Sequence, residues 1–240
     1  MKNIQRFAVF LLFLICGLLV FVVFSHYSPV FEAKEDITGR VLLAIFFLVT
    51  AFVLRHTERF QKYWLIFFAF FSALTAISLD YYLSLSRWIL PTLGIISRTP
   101  AGLAIEKLES SLLGVIILLV LNRLAGQSLE SVYIRRGDIK LGLTIGLIAF
   151  ALMIAFVIPV TELFFKGKDL DWVHILAWAP WVLIMVISNA AYEELVLRGL
   201  LIGKMEPFLG KFATNLVTTI PFVLLHAYTS YVCTQKLSGS

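Results

Sequence analysis

The chain has 240 residues, 60% of them hydrophobic and 15% charged, too little charge to cover the surface of a soluble domain of this size. The formal net charge of +5 is spread in small groups between apolar runs, so it forms no nucleic-acid-binding patch, and nucleic acid is not an expected partner. A mean hydropathy of +0.93 makes the lipid bilayer the expected one.

Runs free of Asp, Glu, Lys and Arg cover residues 7–24, 41–54, 63–79, 110–122, 141–161, 172–192 and 212–235. A membrane-crossing helix needs roughly 20 mostly apolar residues. Several runs reach that length alone, and the shorter ones must recruit flanking residues. The expected fold is therefore all-α, a polytopic transmembrane helical bundle of about seven spans.

The first run follows Lys2 and Arg6, as in a signal peptide, but it is long, and Ser25-His26-Tyr27-Ser28-Pro29 supplies no small-residue cleavage site. It reads as an uncleaved first span. Cys16 and Cys233 are the two cysteines, too few for a disulfide framework, and both read as packing residues. Residues 80–109 are expected to be the longest irregular stretch, because Pro91 and Pro100 break a continuous helix. Trp88-Ile89-Leu90 and Ile95-Ile96 suit that stretch to lying on the bilayer or re-entering it. Residues 131–140, with Arg135-Arg136-Gly137-Asp138, read as a solvated turn. With the N-terminus in the cytoplasm, the inner segments hold twelve Lys and Arg and the outer ones seven, the bias of positive-inside topology.

Against this background the run Ser188-Asn189-Ala190-Ala191-Tyr192-Glu193-Glu194-Leu195-Val196-Leu197-Arg198-Gly199 stands out. An ionisable group at bilayer depth costs roughly 2.5–3.5 kcal/mol on insertion scales, so the cluster is a candidate site. One reading starts its helix near Pro180, a natural first-turn residue, with Trp172, Trp178 and Trp181 as an interfacial belt. Glu193 then lies roughly 15 Å from a cytoplasmic turn at 204–211, and a following helix from Phe212 carries His226 roughly 20 Å in. On that reading Glu193, Glu194 and His226 line one polar cavity between antiparallel helices. The other reading starts the helix at Trp172. The charges then mark its cytoplasmic end, and His226 is a lone core histidine bonded to a carbonyl. Spacing alone leaves both open.

Glu194 and Arg198 are four residues apart on one helical face, where an ion pair forms easily. Glu193 lies about 100° further round and shares its face with Asn189. Arg198 can thus hold Glu194 ionised and leave Glu193 as a base, with Asn189 in support. Phe222 and His226 are likewise four apart, and Pro221 before them favours a kink.

The text Glu193-Glu194-x-x-x-Arg198, followed by Phe222-x-x-x-His226, resembles the first two motifs of the CAAX-protease and bacteriocin-processing family of intramembrane proteases, also called the Abi family. The resemblance covers roughly residues 110–232, and Gly199-Leu200-Leu201 also looks like the family. It implies N-terminal transmembrane helices and an interfacial segment over 1–109, and a protease core over 110–240. It implies an endopeptidase that cleaves a peptide or protein near the cytoplasmic membrane face. Glu193 would activate water, with Glu194 and His226 as the other catalytic groups and Arg198 and Phe222 supporting them. A zinc ion held by His226 and Glu193 is the implied cofactor. The family's third motif, a histidine with an asparagine four residues later, has no counterpart, because no histidine follows His226. His26, His56 and His174 fall at membrane edges. The core is therefore expected to be incomplete at its C-terminal side, and a metal-free mechanism stays open. The alternatives are a non-catalytic membrane protein of the same fold, acting in bacteriocin immunity or partner binding, and a small transporter using the carboxylates as a proton relay.

Overall fold

A computed structural model describes residues 3–25, 31–97, 99–132, 134, 139–164 and 172–238. Among them every regular element is helical. Helix α1 (Asn3–Leu18) ends in a π-helical turn (Leu19–Val23) and is followed by α2 (Ala33–His56), α3 (Trp64–Leu83) and the short α4 (Ser86–Thr92). Then come α5 (Pro100–Leu124), α6 (Ile139–Phe164) and α7 (Trp172–Glu193). Helix α7 runs without interruption through a π-helical stretch (Glu194–Ile202) into α8 (Gly203–Leu209), and α9 (Lys211–Ser238) completes the bundle. Among the described residues four segments are long and apolar enough to cross a membrane: Asn3–Val23, Ala33–His56, Gln61–Thr92 and Leu176–Leu209. Within the described residues, Lys140–Leu152 adds a shorter apolar helix. The all-α polytopic bundle demanded by the composition is what forms.

The central helix is α3, which packs on α2 and α5, while α5 packs on α7 and α1 on α9. Phe13, Phe47, Phe67 and Phe70 form the aromatic heart, with the Phe47 and Phe70 centroids 5.6 Å apart. Large rings give the most buried area per residue and lock at such offsets. With Cys16 and Val20 buried beside Phe13, the first apolar run is part of this core. The opposite face of α2, with Leu42, Ile45, Phe46 and Val49, is exposed for lipid.

A buried ion pair ties the first three helices together. Arg40 and Asp36, one turn apart on α2, are 2% and 1% exposed, with Nε 2.8 Å from Oδ2. The guanidinium also donates to the Phe24 and Ser25 carbonyls, at 2.7 and 2.9 Å, groups that the end of α1 leaves without helical partners. Tyr82 Oη on α3 donates to Asp36 Oδ2 at 2.8 Å. Counted in the sequence as an outer-loop charge, Arg40 is instead a structural bolt.

Several expectations are corrected. Residues 80–109 are mostly helical, because Pro100 occupies the first turn of α5, where its missing N–H removes no hydrogen bond. Thr99 Oγ1 caps that turn by accepting from Gly102 N at 3.2 Å. Among the described residues only α4 and the non-helical residues 84–85, 93–97 and 99 remain as a connection, and the short run 110–122 belongs to a 25-residue helix. The cluster-bearing helix starts at Trp172, with Pro180 inside it. Nor does it stop at the charges: residues 204–209 continue as α8, and the chain reverses only at Gly210, whose φ of 79° suits glycine. The Arg135-Arg136-Gly137-Asp138 turn, His26, and the side chains of His174, Trp172 and Cys233 lie outside the described residues.

Candidate active site

The two sequence motifs meet in space. His226 Nε2 on α9 lies 3.7 Å from Glu193 Oε1 at the end of α7. The imidazole is fixed from behind: its Nδ1 lies 2.9 Å from the Phe222 carbonyl, and the two rings pack at a tilt with centroids 4.1 Å apart. A carbonyl only accepts, so Nδ1 carries the hydrogen, and in the neutral ring the Nε2 lone pair faces Glu193. Two acceptors aimed at the same space are the natural cradle for a water molecule that donates to both.

This pair lines a cavity of about 220 Å³, together with Asn189, Tyr192, Val196, Leu197, Phe222 and Leu225. The other wall comes from distant sequence: Phe21 and Ser25 from the end of α1, Ile77 and Asp80 from α3, and Lys107 and Ser110 from α5. Asp80, 7% exposed, accepts from Ser110 Oγ at 2.7 Å. No motif or spacing in the sequence points to this wall; the one available signal is a carboxylate immediately after the uncharged run 63–79. Arg40 bears on the site through the Ser25 carbonyl it holds.

Glu194 does not join them. The expectation of one cavity for Glu193, Glu194 and His226 is corrected: Glu194 lines a separate, open groove with Arg198, Glu206, Lys211 and Asn215. There its Oε2 lies 3.3 Å from Arg198 Nη1, and the two side chains are 56% and 70% exposed. The pairing read from the i,i+4 spacing is present, on the face turned away from His226. Backbone geometry separates the two acids. The π-helical stretch begins at Glu194, and π-helical turns are wider than α-helical ones and occur often at functional sites. Gly199 lets that stretch press on the Leu129–Val132 turn, where an added Cβ would come 2.7 Å from the Val132 carbonyl oxygen. Leu200 and Leu201 are buried beneath it.

On the other side, Gly17 of α1 accommodates Pro221, whose Cγ would be 3.1 Å from an added Cβ. This contact seats the kink-prone turn of α9 just before Phe222 and His226. Zinc would find two donors here, His226 Nε2 and Glu193 Oε1. Among the described residues no group of three or more His, Cys, Asp or Glu is suited to a metal ion, short of the three protein ligands typical of catalytic zinc.

Residues 175–238 match the family model for type II CAAX prenyl endopeptidase Rce1-like proteins. The motif-bearing segment is Rce1-like. The match contains Glu193, Glu194, Arg198, Phe222 and His226, and agrees with the resemblance carried by the two motifs. No curated protein and no solved structure matches the chain. The likeness to CAAX-type proteases is thus carried by the segment that holds both motifs, in a chain whose apolar helices fit a membrane location.

Proposed function

We propose that the protein is an intramembrane endopeptidase that hydrolyses a peptide bond at the Glu193–His226 pair. The observation that carries this reading is the 3.7 Å approach of the two groups, on adjoining helices of an Rce1-like segment. A water molecule donating one hydrogen to Glu193 and the other to His226 Nε2 presents an oxygen lone pair to the substrate carbonyl. As the oxygen bonds to the carbonyl carbon, Glu193 takes the proton, and it returns that proton to the leaving amine when the C–N bond breaks. In this reading the Asn189 amide, which lines the same cavity, donates to the oxyanion. Glu194 and Arg198 shape the neighbouring groove and take no proton in this scheme.

The substrate in this reading is a peptide or protein that reaches the site from the bilayer. Cleavage on the cytoplasmic side, with the N-terminus cytoplasmic, belongs to the same proposal. Zinc bound to His226 and Glu193 would polarise the carbonyl or the water, and the steps above use only the carboxylate and imidazole.

The test is purified protein in lipid vesicles with a prenylated CAAX-type peptide carrying a quenched fluorophore. Turnover that disappears in Glu193→Gln supports the proposal. Peptide binding without turnover would favour the non-catalytic reading, a partner-binding or immunity protein of the same fold.

A further inference from the structure

The groove that holds Glu194 carries chemistry for which the proposed hydrolysis has no use. It encloses about 840 Å³, within the roughly 300–1,000 Å³ usual for small-ligand sites, and its two walls differ. One is apolar: Val115 of α5, with Val132 and Ile134 from the connection that follows it. The other carries all the charge. Glu194, Arg198, Ile202 and Glu206 follow one another at four-residue steps from the π-helical stretch into α8, and Lys211 and Asn215 do the same on α9, so each set shares a face. These charges are not all neutralised by one another. Glu194 engages Arg198 through one guanidinium nitrogen, and the remaining donors of that fork are unused. Glu206 and Lys211 stand on either side of the Gly210 reversal, and among the described residues neither side chain has a hydrogen bond or an ion pair.

From this pattern we infer that the groove binds a phospholipid with an ethanolamine headgroup. The lipid ammonium donates to Glu206. Its phosphate accepts from Lys211 and from the spare donors of Arg198, and an acyl chain lies along Val115, Val132 and Ile134. The level in the bilayer agrees, because the apolar segment Leu176–Leu209 ends between Glu206 and Lys211, where charged side chains meet the headgroup layer. One unpaired acid beside one unpaired base is what selects this occupant. A glycerol headgroup brings an anion to Lys211 and no cation to Glu206. A choline headgroup brings both charges but has no N–H, so Glu206 gains no hydrogen bond from it. The groove shares no lining residue with the cavity of Glu193 and His226, so the inference stands apart from the protease reading.

The test is a lipid titration of the purified protein in detergent, with bound lipid counted by native mass spectrometry. The probes are dioleoyl phosphatidylethanolamine, phosphatidylcholine and phosphatidylglycerol. The ethanolamine lipid should bind about tenfold tighter than either of the others, the difference made by one charge-assisted hydrogen bond. Glu206→Gln should remove the preference for ethanolamine over choline, and Lys211→Gln should weaken the binding of both. Neither side chain has a partner to lose, so both variants should melt with the parent; should one fail to fold, the ranking of the three lipids on the parent decides alone. Equal binding of the three lipids would overturn the inference, and so would an ethanolamine preference that survives Glu206→Gln. Trialanine with free termini offers the same two charges without a chain. Its displacing the ethanolamine lipid from the parent at equal concentration would overturn the inference as well, and make the groove a peptide site. No readout here uses turnover, so an inactive protein that selects ethanolamine would keep the inference and lose the protease reading.

Discussion

Glu193 and Glu194 are neighbours in sequence and face different spaces in the fold. Glu193 Oε1 lies 3.7 Å from His226 Nε2 in one cavity, where the Glu193 side chain is 30% exposed, while Glu194 Oε2 lies 3.3 Å from Arg198 Nη1 in a separate groove. On the proposed mechanism the paired acids of the motif have separable roles, one chemical and one structural.

Glu193→Gln keeps size and polarity and removes the base, so turnover should fall by about 10²–10⁴, the usual contribution of a positioned acid–base group. Its melting temperature and expression should match the parent. Glu194→Gln should keep measurable turnover. Equal losses in the two variants, or full activity in Glu193→Gln, would end the assignment of Glu193 as base.

The Glu194–Arg198 pair is mostly exposed, which caps its value. A double-mutant cycle of Glu194→Gln and Arg198→Gln, followed by unfolding in detergent, should return a coupling of roughly 0.2–1 kcal/mol. A much larger coupling would mean that the groove is closed to solvent by lipid or by another chain.

Arg40 is the opposite case. Arg40→Ala strands the Asp36 carboxylate at 1% exposure and frees two carbonyls at the end of α1. Breaking a buried pair this way costs about 3–5 kcal/mol, and the melting temperature should drop steeply. Arg40→Leu combined with Asp36→Leu should recover part of the loss, since no lone charge remains. A double variant less stable than either single one would show that the pair is not coupled as the geometry implies.

Two glycines separate packing from propensity. Gly199→Ala would place a Cβ 2.7 Å from the Val132 carbonyl oxygen, a backbone atom that cannot rotate away, so a loss of about 1–3 kcal/mol is expected. Gly142→Ala on α6 meets nothing within 4 Å and should be neutral or slightly stabilising. Unfolding midpoints of the two variants, measured side by side, decide this.

Topology is read from the charges alone and can be checked directly. Glu58, exposed between α2 and α3 beside Arg55 and Arg59, should be cytoplasmic. A cysteine there, in the Cys233→Ser background, should react in inverted vesicles and be silent to impermeant reagent on intact cells. The reverse pattern would invert the whole assignment and move the proposed cleavage to the other side.

The bilayer, the all-α class and the two motifs were legible in the sequence because each is a local property. Uncharged length marks a span, and a four-residue spacing puts Glu194 beside Arg198 and Phe222 beside His226 whatever the rest of the chain does. One of the two readings open in the sequence put Glu193 and His226 at similar depth, on the ground that a short reversal between antiparallel helices leaves little freedom. What lay across from them was decided only by tertiary packing. Helical periodicity tells which residues share a face, and nothing about which helix that face will meet. So Asp80 and Ser110, thirty residues apart, could be joined into one wall only by the packing of α3 on α5. The same limit hid Arg40, whose partners at Phe24 and Ser25 are main-chain carbonyls and leave no side-chain signature. Glu193 and Glu194 lie about 100° apart on any α-helix, but that this offset puts them in different spaces depends on which elements meet each face, with His226 of α9 on one side and Arg198, Glu206 and Lys211 on the other.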